Sequence, residues 1–143
     1  AINDAGVGCW NSKYIYNLER PFTYIRKFIN PNWQTNLSDP NTGSTNITPS
    51  FPAYPSGHAT FGGAAAEALS SIFGYNYSMT DNCHKDRTDF IGTPRTFASF
   101  YEMADENGYS RVPLGVHWRM DYEEGVRYGK EIGYKVGLLP WKK

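Results

Sequence analysis

The segment Pro55-Ser-Gly-His58 combines residue types that can bind an anion and move a proton. The prolines before Ser56 favour an extended chain, Ser56 is a good N-cap, and the Ala-rich segment after it predicts a buried helix over residues 57–73. The unpaired N–H groups and positive dipole end of such a helix bind anions. His58 is then placed to exchange a proton with the anion. The alternative interpretation is a capped helix whose histidine is merely exposed.

A second polar pair, His117 and Asp121, stands four residues apart in a predicted helix from about Val116 to Val136. That spacing places both on one face, where the carboxylate can accept the ring N–H, fix the tautomer and make the other ring nitrogen a better ligand or nucleophile. Arg111 precedes the helix and can turn its planar guanidinium toward the same place. Taken singly, these residues also fit a surface His–Asp pair and a loop arginine.

Two further cations, Lys13 and Arg20, stand seven residues apart in a segment of helical periodicity. Seven residues at about 100° each come within about 20° of two full turns, so both side chains are expected on one face. By themselves they fit a solvated basic face. Together with Arg111, the helix start at Ser56 and the two histidines, they are the groups required by a tetrahedral oxyanion with one coordinating partner and one proton donor.

These residues form three motifs: Lys13-x6-Arg20-Pro21, Pro55-Ser-Gly-His58 and Ser110-Arg111-x5-His117-x3-Asp121. In their order and spacing they resemble the three-part signature of the superfamily of vanadium-dependent haloperoxidases and type 2 phosphatidic acid phosphatases. The motifs span residues 13 to 121, and a tripartite match at fixed internal spacings is highly specific. The resemblance implies a helical bundle that holds vanadate, or phosphate in the phosphatase branch.

The same resemblance implies how the anion is held. The cations would neutralise its equatorial oxygens, and the helix start would donate hydrogen bonds to it. The residues implied are Lys13, Arg20, Arg111, Ser56 and Gly57.

Catalytic roles follow from the resemblance as well. His117 would be the direct vanadium ligand, or the phosphorylated nucleophile in a phosphatase, and Asp121 would orient it. His58 would be the acid/base, and Lys13 would polarise bound hydrogen peroxide before halide attacks it to give hypohalous acid. Vanadate would act as a Lewis acid without changing its oxidation state.

Two aromatic residues outside the signature indicate the haloperoxidase branch. Phe51 resembles a phenylalanine that packs over the cofactor in fungal and bacterial chloroperoxidases, where algal bromoperoxidases usually carry a histidine. Trp10, three residues before Lys13, resembles the tryptophan that lines the halide pocket. An apolar, water-poor wall suits a weakly hydrated halide and protects a bound peroxide. The alternative is that both are ordinary core aromatics in a chain with 16% aromatic residues.

The leading hypothesis is therefore a vanadium-dependent haloperoxidase whose partners are halide, hydrogen peroxide and an organic acceptor. One alternative is a soluble acid phosphatase of the same superfamily that uses a phosphohistidine intermediate. The other is a non-catalytic helical module that binds an oxyanion.

The elements that must position these residues are predicted to be helices joined by long loops. Helical periodicity runs from Trp10 to Ile29 with an interruption at Pro21, and a further helix is expected from Arg95 to Asn107. Residues 30–55 and 75–94 are rich in turn-forming residues and predict loops. No strand-like alternation of any length is present, so we predict an all-α bundle of about four or five helices.

The 143 residues suffice for one cofactor-binding helical domain, residues 1–143. Haloperoxidases of the family are much longer, with another helical bundle before these motifs and an upstream aspartate that partners the acid/base histidine. The resemblance thus indicates the C-terminal portion of a larger enzyme, completed by an upstream domain or another chain. Asp4 is available for the aspartate's role, but nothing in the sequence supports it there.

Charge and composition limit which partners and which cellular compartment are expected. Lys and Arg together number 14, as do Asp and Glu, so nucleic acid is an unexpected partner. No run approaches the ~20 apolar residues of a membrane span. Cys9 and Cys83 could form one disulfide, and three glycosylation patterns lean weakly toward an oxidising compartment, at Asn36, Asn46 and Asn76. A secreted or periplasmic location is predicted.

Overall fold

The helix Gly57–Phe73 is the central element of the computed structural model, which describes residues 1–39, 41–89 and 91–141. It packs against three other helices and most extensively against the last one. In chain order the elements are α1 (Ile2–Tyr16), α2 (Pro21–Phe28), α3 (Gly57–Phe73), β1 (Met79–Asp81), β2 (Arg95–Phe97), α4 (Phe100–Tyr109) and α5 (Arg119–Gly137). The predicted all-α bundle is confirmed, with five helices in these described ranges.

Small residues allow α3 and α5 to approach each other closely. Gly125, Gly129 and Gly133 recur at four-residue intervals and are buried on α5. A Cβ atom built on Gly129 would lie 2.1 Å from the carbonyl oxygen of Thr60, so any larger residue there would push the helices apart. The contact between the two helices therefore depends on backbone packed on backbone rather than on large side chains.

The start of α3 is built as the sequence predicts. Ser56 has extended backbone angles, φ −68 and ψ 123, and its hydroxyl accepts a hydrogen bond from the N–H of Ala59 at 3.5 Å. Gly74 follows the last residue of the helix. The predicted helix over residues 57–73 is confirmed, because an N-cap serine and a terminal glycine bound it on the two sides.

The predicted common helix for Lys13 and Arg20 is wrong. α1 ends at Tyr16 and is capped by Asn17, whose left-handed backbone (φ 46) turns the chain and whose N–H donates to the carbonyl of Lys13 at 2.8 Å. Arg20 then caps α2, where Pro21 occupies the first helical position. The two cations therefore sit on either side of a turn, and the turn rather than helical periodicity brings them together.

Residues 95–107 also differ from prediction. Arg95–Phe97 forms a short strand that pairs antiparallel with Met79–Asp81, with Thr80 opposite Thr96. Helix α4 begins only at Phe100, and the Ser99 hydroxyl caps it by accepting from the N–H of Glu102 at 3.1 Å. Strands of three residues give too little alternation to be read from sequence, which explains the missed sheet.

Helix α5 starts three residues later than predicted, at Arg119 with Trp118 as its N-cap. His117 consequently lies before the helix.

Residues 30–55 contain no helix or strand where they are described, as predicted, but Pro40 lies outside the described residues. Within the described ranges, none of the helices has the length and apolar character that crossing a membrane requires. Cys9 is buried, Cys83 is exposed, and both are free thiols.

Candidate functional site

Helix α1 carries the ammonium group of Lys13 into the interior, where the side chain is 0% exposed. Its Nζ donates to the carbonyls of Pro52 and Ala53, each at 2.9 Å. Burial disfavours the charged form and lowers the pKa of Lys13 to about 8. No ion pair holds this ammonium among the described residues. Two carbonyl oxygens accept its hydrogen bonds, and the charge of Asp121 acts on it from a longer distance.

Arg20 joins the segment before α3 to the segment before α5. Its Nε donates to the Phe51 carbonyl at 2.9 Å, and its Nη1 donates to the Val116 carbonyl at 2.7 Å. The same Nη1 lies 3.1 Å from Nε2 of His117. Burial lowers the pKa of Arg20 to about 10, so the guanidinium stays charged at neutral pH.

His117 is 5% exposed and is held by Asp121, whose Oδ2 lies 2.9 Å from the ring Nδ1. Because a guanidinium can only donate, the contact with Arg20 makes Nε2 the acceptor and assigns the ring proton to Nδ1. Burial, the largest effect, lowers the pKa of His117 to about 4. The ring is therefore neutral, with the lone pair of Nε2 directed toward the cations.

The carboxylate of Asp121 reaches His117 by a different route from the one predicted. His117 is outside α5, and the chain turns at Trp118, whose backbone N–H donates to the same Oδ2 of Asp121 at 2.9 Å. A carboxylate in the first turn of a helix commonly accepts from the backbone in this way. Asp121 thereby fixes both the start of α5 and the orientation of the histidine.

Ser56 and Gly57 are buried at the start of α3, beside this pair. The N–H of Ser56 donates to the backbone carbonyl of Asp121 at 2.8 Å, which ties the start of α3 to the first turn of α5. Ser56, Gly57, His117 and Asp121 are thus brought together, as the resemblance to the three-part signature implies.

His58 differs from these residues because its side chain is exposed. Partial desolvation, followed by the charges of Arg111 and Lys13, lowers the pKa of His58. No carboxylate contributes to that shift. Asp4 bonds instead to the N-terminal ammonium at 3.2 Å, so it does not take the role of partner to His58.

Arg111 completes the set of cations. Its Nε is buried and has no hydrogen-bond partner among the described residues, and burial lowers the pKa of the group. A buried guanidinium N–H without an acceptor is costly, because it has lost water and gained nothing in return. Among the described residues, this donor therefore stays available to a bound acceptor.

Lys13 and Arg20 share one neighbouring carboxylate, Asp121, which is already bonded to His117, and no carboxylate contributes to the lowered pKa of Arg111. Buried charges are normally paired, so this excess of positive charge favours an anionic ligand. The described residues contain no cluster of three or more His, Cys, Asp or Glu side chains of the kind that holds a metal cation. One neutral histidine among cations instead suits a metal oxyanion such as vanadate, or phosphate.

An aromatic wall flanks the cations. The rings of Trp10 and Phe51 lie 5.3 Å apart, and the Nζ of Lys13 lies 5.8 Å and 5.3 Å from the two ring centres. The predicted halide-pocket residues are thus adjacent to each other and to the predicted peroxide-polarising lysine. Aromatic faces are favourable neighbours for a cation and exclude water.

Sequence reasoning missed two parts of this arrangement. Phe61 stacks on Trp10 at 5.9 Å and an interplanar angle of 15°, and its position three residues after His58 on α3 was the available signal. The carbonyls of Phe51, Pro52 and Ala53, which accept from Lys13 and Arg20, carry no residue-type signal at all.

Comparison with known proteins gives consistent matches. The family model of the VCPO second helical-bundle domain matches residues 1–138. Vanadium chloroperoxidase of Curvularia inaequalis is 32% identical over 161 residues, covering 85% of the chain and 26% of that protein. A vanadium-dependent bromoperoxidase of Ascophyllum nodosum is 32% identical over 96 residues, covering 59% of the chain and 17% of that protein.

Solved structures agree with these matches. A bacterial vanadium-dependent iodoperoxidase superposes with a TM-score of 0.79 at 37% identity, covering 94% of the chain and 30% of that structure. A bacterial vanadium-dependent chloroperoxidase gives a TM-score of 0.66 at 17% identity, which shows a shared fold. The chain spans less than a third of the length of each of these relatives.

Proposed function

The chain belongs to the vanadium haloperoxidase family, whose second helical-bundle domain it matches, and from this premise we propose that it binds vanadate and oxidises halide with hydrogen peroxide to hypohalous acid. One observation carries the proposal: the charges of Arg20 and Lys13 act on the neutral His117. Arg111 lies near Arg20, and its buried Nε has no acceptor among the described residues. Vanadate fits this donor set, because it offers negative oxygens to the cations and a metal centre to a neutral imidazole.

In the proposed complex, the protein's first task is to hold the charge of the anion. Lys13, Arg20 and Arg111 would neutralise its oxygens, while the Ser56 hydroxyl and the N–H of Gly57 would donate hydrogen bonds to it. Several of these groups are already fixed by carbonyls on the protein side. The binding groups are therefore preorganised, which lowers the cost of binding.

His117 would be the vanadium ligand, through Nε2. Its bond to Asp121 fixes the tautomer that leaves Nε2 unprotonated, and its lowered pKa keeps the ring neutral near neutral pH. Vanadate, when bound, supplies Lewis acidity that activates hydrogen peroxide without a change of oxidation state.

His58 would move the protons. Its ring is exposed, so it can exchange protons with solvent, and its lowered pKa leaves it neutral and able to accept one. Lys13 would place its ammonium charge where hydrogen peroxide is to be activated. Trp10 and Phe51, together with Phe61 behind Trp10, would form the apolar wall against which halide approaches.

Because the chain covers 26% of the Curvularia inaequalis protein, we include in the proposal that a further segment or chain completes the enzyme. It would supply the carboxylate that His58 lacks among the described residues. The secreted or periplasmic location stays a prediction, because the two free cysteines do not provide the disulfide that would have supported it.

A phosphatase that forms a phosphohistidine at His117 is the second candidate. The observation that favours it is the same unprotonated Nε2, which can attack phosphorus as well as bind vanadium. Trp10 and Phe51 weigh against it, because a phosphomonoester site has no evident use for an apolar wall beside its lysine.

The deciding experiment measures peroxide-dependent halogenation of a phenol indicator with chloride, bromide and iodide, before and after orthovanadate is added to metal-free protein. We expect halogenation only with vanadate, and the three halides are ranked in the same assay. Hydrolysis of a phosphate ester that vanadate abolishes would favour the phosphatase instead. Binding of orthovanadate without either activity would favour the non-catalytic module or a requirement for the completing segment, and adding that segment separates the two.

A further inference from the structure

We propose that Gly125 is a positioning residue of the anion site. Its missing side chain sets the distance between the start of α3 and the pair formed by His117 and Asp121, and thereby the affinity for the anion. The inference rests on the proposed function, because it concerns the same site, but it assigns a role to a residue that does not touch the anion.

Gly125 lies one helical turn after Asp121, at the point where α5 meets the first turn of α3. A Cβ atom built on it would lie 2.7 Å from the Cβ of Ala59 and 2.8 Å from the carbonyl oxygen of Ser56. Next to this contact, the N–H of Ser56 donates to the carbonyl of Asp121 at 2.8 Å. The two halves of the site are therefore fixed to each other by backbone contacts at adjacent positions.

An added methyl group at this position must separate the helices, since a Cβ contact under 3.0 Å essentially never occurs. The separation of the helices moves Ser56, which caps α3. The first N–H groups of α3 are the ones that would bind the anion. His117, on the other side, is fixed through Asp121. Displacing one set of donors relative to the other weakens an anion held between them, and small misplacements of this kind have large effects on binding geometry.

Gly133 provides a matched control. It is buried on the same face of α5, two turns further along, and a Cβ built on it would lie 2.8 Å from the Ala64 carbonyl and 2.8 Å from the Cβ of Glu67. Its replacement crowds the same pair of helices by a similar amount, but away from the site. Gly137, with nothing within 4 Å of its Cβ position, controls for the change in helix propensity.

The test compares Gly125→Ala, Gly133→Ala and Gly137→Ala by calorimetric titration with orthovanadate and by thermal unfolding. We expect Gly125→Ala to weaken binding about 10- to 100-fold, and Gly133→Ala to change it less than about threefold despite a similar loss of thermal stability. Equal losses of affinity in these two variants would overturn the inference, as would an unchanged affinity in Gly125→Ala. Failure of the unmodified chain to bind orthovanadate would instead overturn the proposed function.

If Gly125→Ala does not fold, the same contact can be loosened from the other helix. Ala59→Gly removes the methyl group that faces Gly125 and is expected to weaken orthovanadate binding about threefold or more. Ala64→Gly, further along α3 where the backbone carbonyl of Ala64 faces Gly133, is expected to leave it unchanged. An affinity that is the same in both variants would contradict the role of Gly125.

Discussion

Helix α3 buries charge at two places, and the two differ in how the charge is satisfied. At its start, Ser56 and Gly57 lie beside the buried cations Lys13 and Arg20, neither of which forms an ion pair with a carboxylate in the described ranges. Three turns later, Glu67 is 2% exposed and has no ion pair in the described ranges. Its two carboxylate oxygens accept hydrogen bonds from the hydroxyls of Tyr75, at 2.7 Å, and Tyr101.

This difference distinguishes the structural polar cluster around Glu67 from the proposed anion site at the start of α3. Both carboxylate oxygens of Glu67 accept from donors that belong to the chain, so this carboxylate does not require a ligand. Among the described residues at the other end, the Nε–H of Arg111 is buried without an acceptor, and three cations stand against the single carboxylate of Asp121. Disruption of the first cluster should cost stability, whereas disruption of the second should cost ligand affinity.

The largest expected effect is that of Lys13→Met. We expect orthovanadate affinity to fall at least about 100-fold, or about 2.7 kcal/mol, because a desolvated ammonium facing the anion is removed. Calorimetric titration measures this loss. Lys130→Met is the control, since Lys130 lies 5.1 Å from the ring of Tyr101 at the other end of α3. Equal affinities in the two variants would contradict the assignment of Lys13 to an anion site.

Tyr101→Phe should show the opposite pattern. Removing its hydroxyl leaves one oxygen of the buried Glu67 without a donor, so the free energy of unfolding should fall by about 1–3 kcal/mol. Orthovanadate affinity should stay unchanged. Urea denaturation and calorimetric titration measure the two quantities. The comparison between the two ends fails if this variant loses affinity instead of stability.

Alkaline pH should weaken anion binding at the start of α3 and leave the hydrogen bonds to Glu67 intact. In the anion-free chain burial lowers the pKa of Lys13 to about 8, so above that pH the anion must bind together with a proton. Affinity should therefore fall about tenfold between pH 7 and pH 9. Burial and the bond to Glu67 raise the pKa of Tyr101, so its hydroxyl still donates throughout this range.

The control for this pH dependence is Lys13→Met. Ionisation of vanadate itself changes over the same range, but it does so equally for both proteins. The difference between the two titration series therefore isolates Lys13. Parallel pH dependences would show that Lys13 does not titrate in the anion-free chain.

The local parts of the site were predictable from sequence. The spacing within Pro55-Ser-Gly-His58 places a cap, a helix start and a histidine together, because all three lie within one turn. The four-residue spacing of His117 and Asp121 was informative for the same reason, although the bond forms across a helix boundary rather than along a helix face. Short-range spacing constrains which side chains can meet even when the element is misassigned.

The parts set by turns and tertiary contacts were not predictable. The left-handed residue Asn17 places Lys13 and Arg20 on separate helices, and a periodicity argument does not detect one such residue. The donors to Glu67 come from a loop and from α4, at positions 75 and 101, so no local pattern joins them. Sequence singled out the residues that the structure brings together at the start of α3 and missed the polar cluster around Glu67 on the same helix.

The smallest effect is expected for Arg111→Lys, which tests directly whether the unpartnered Nε–H of Arg111 binds the anion. Arg111→Lys keeps the positive charge but removes the planar fork and the buried Nε that lacks an acceptor. If that N–H binds an oxygen of the anion, orthovanadate affinity should fall about fivefold, the equivalent of one hydrogen bond, with the thermal stability of the anion-free chain unchanged or raised. Arg119→Lys is the control, because Arg119 is exposed and pairs with Glu123 at 3.6 Å. An Arg111→Lys variant that binds orthovanadate as tightly as the control would mean that the positive charge alone holds the anion. The start of α3 would then differ from the region around Glu67 in charge and not in hydrogen bonding.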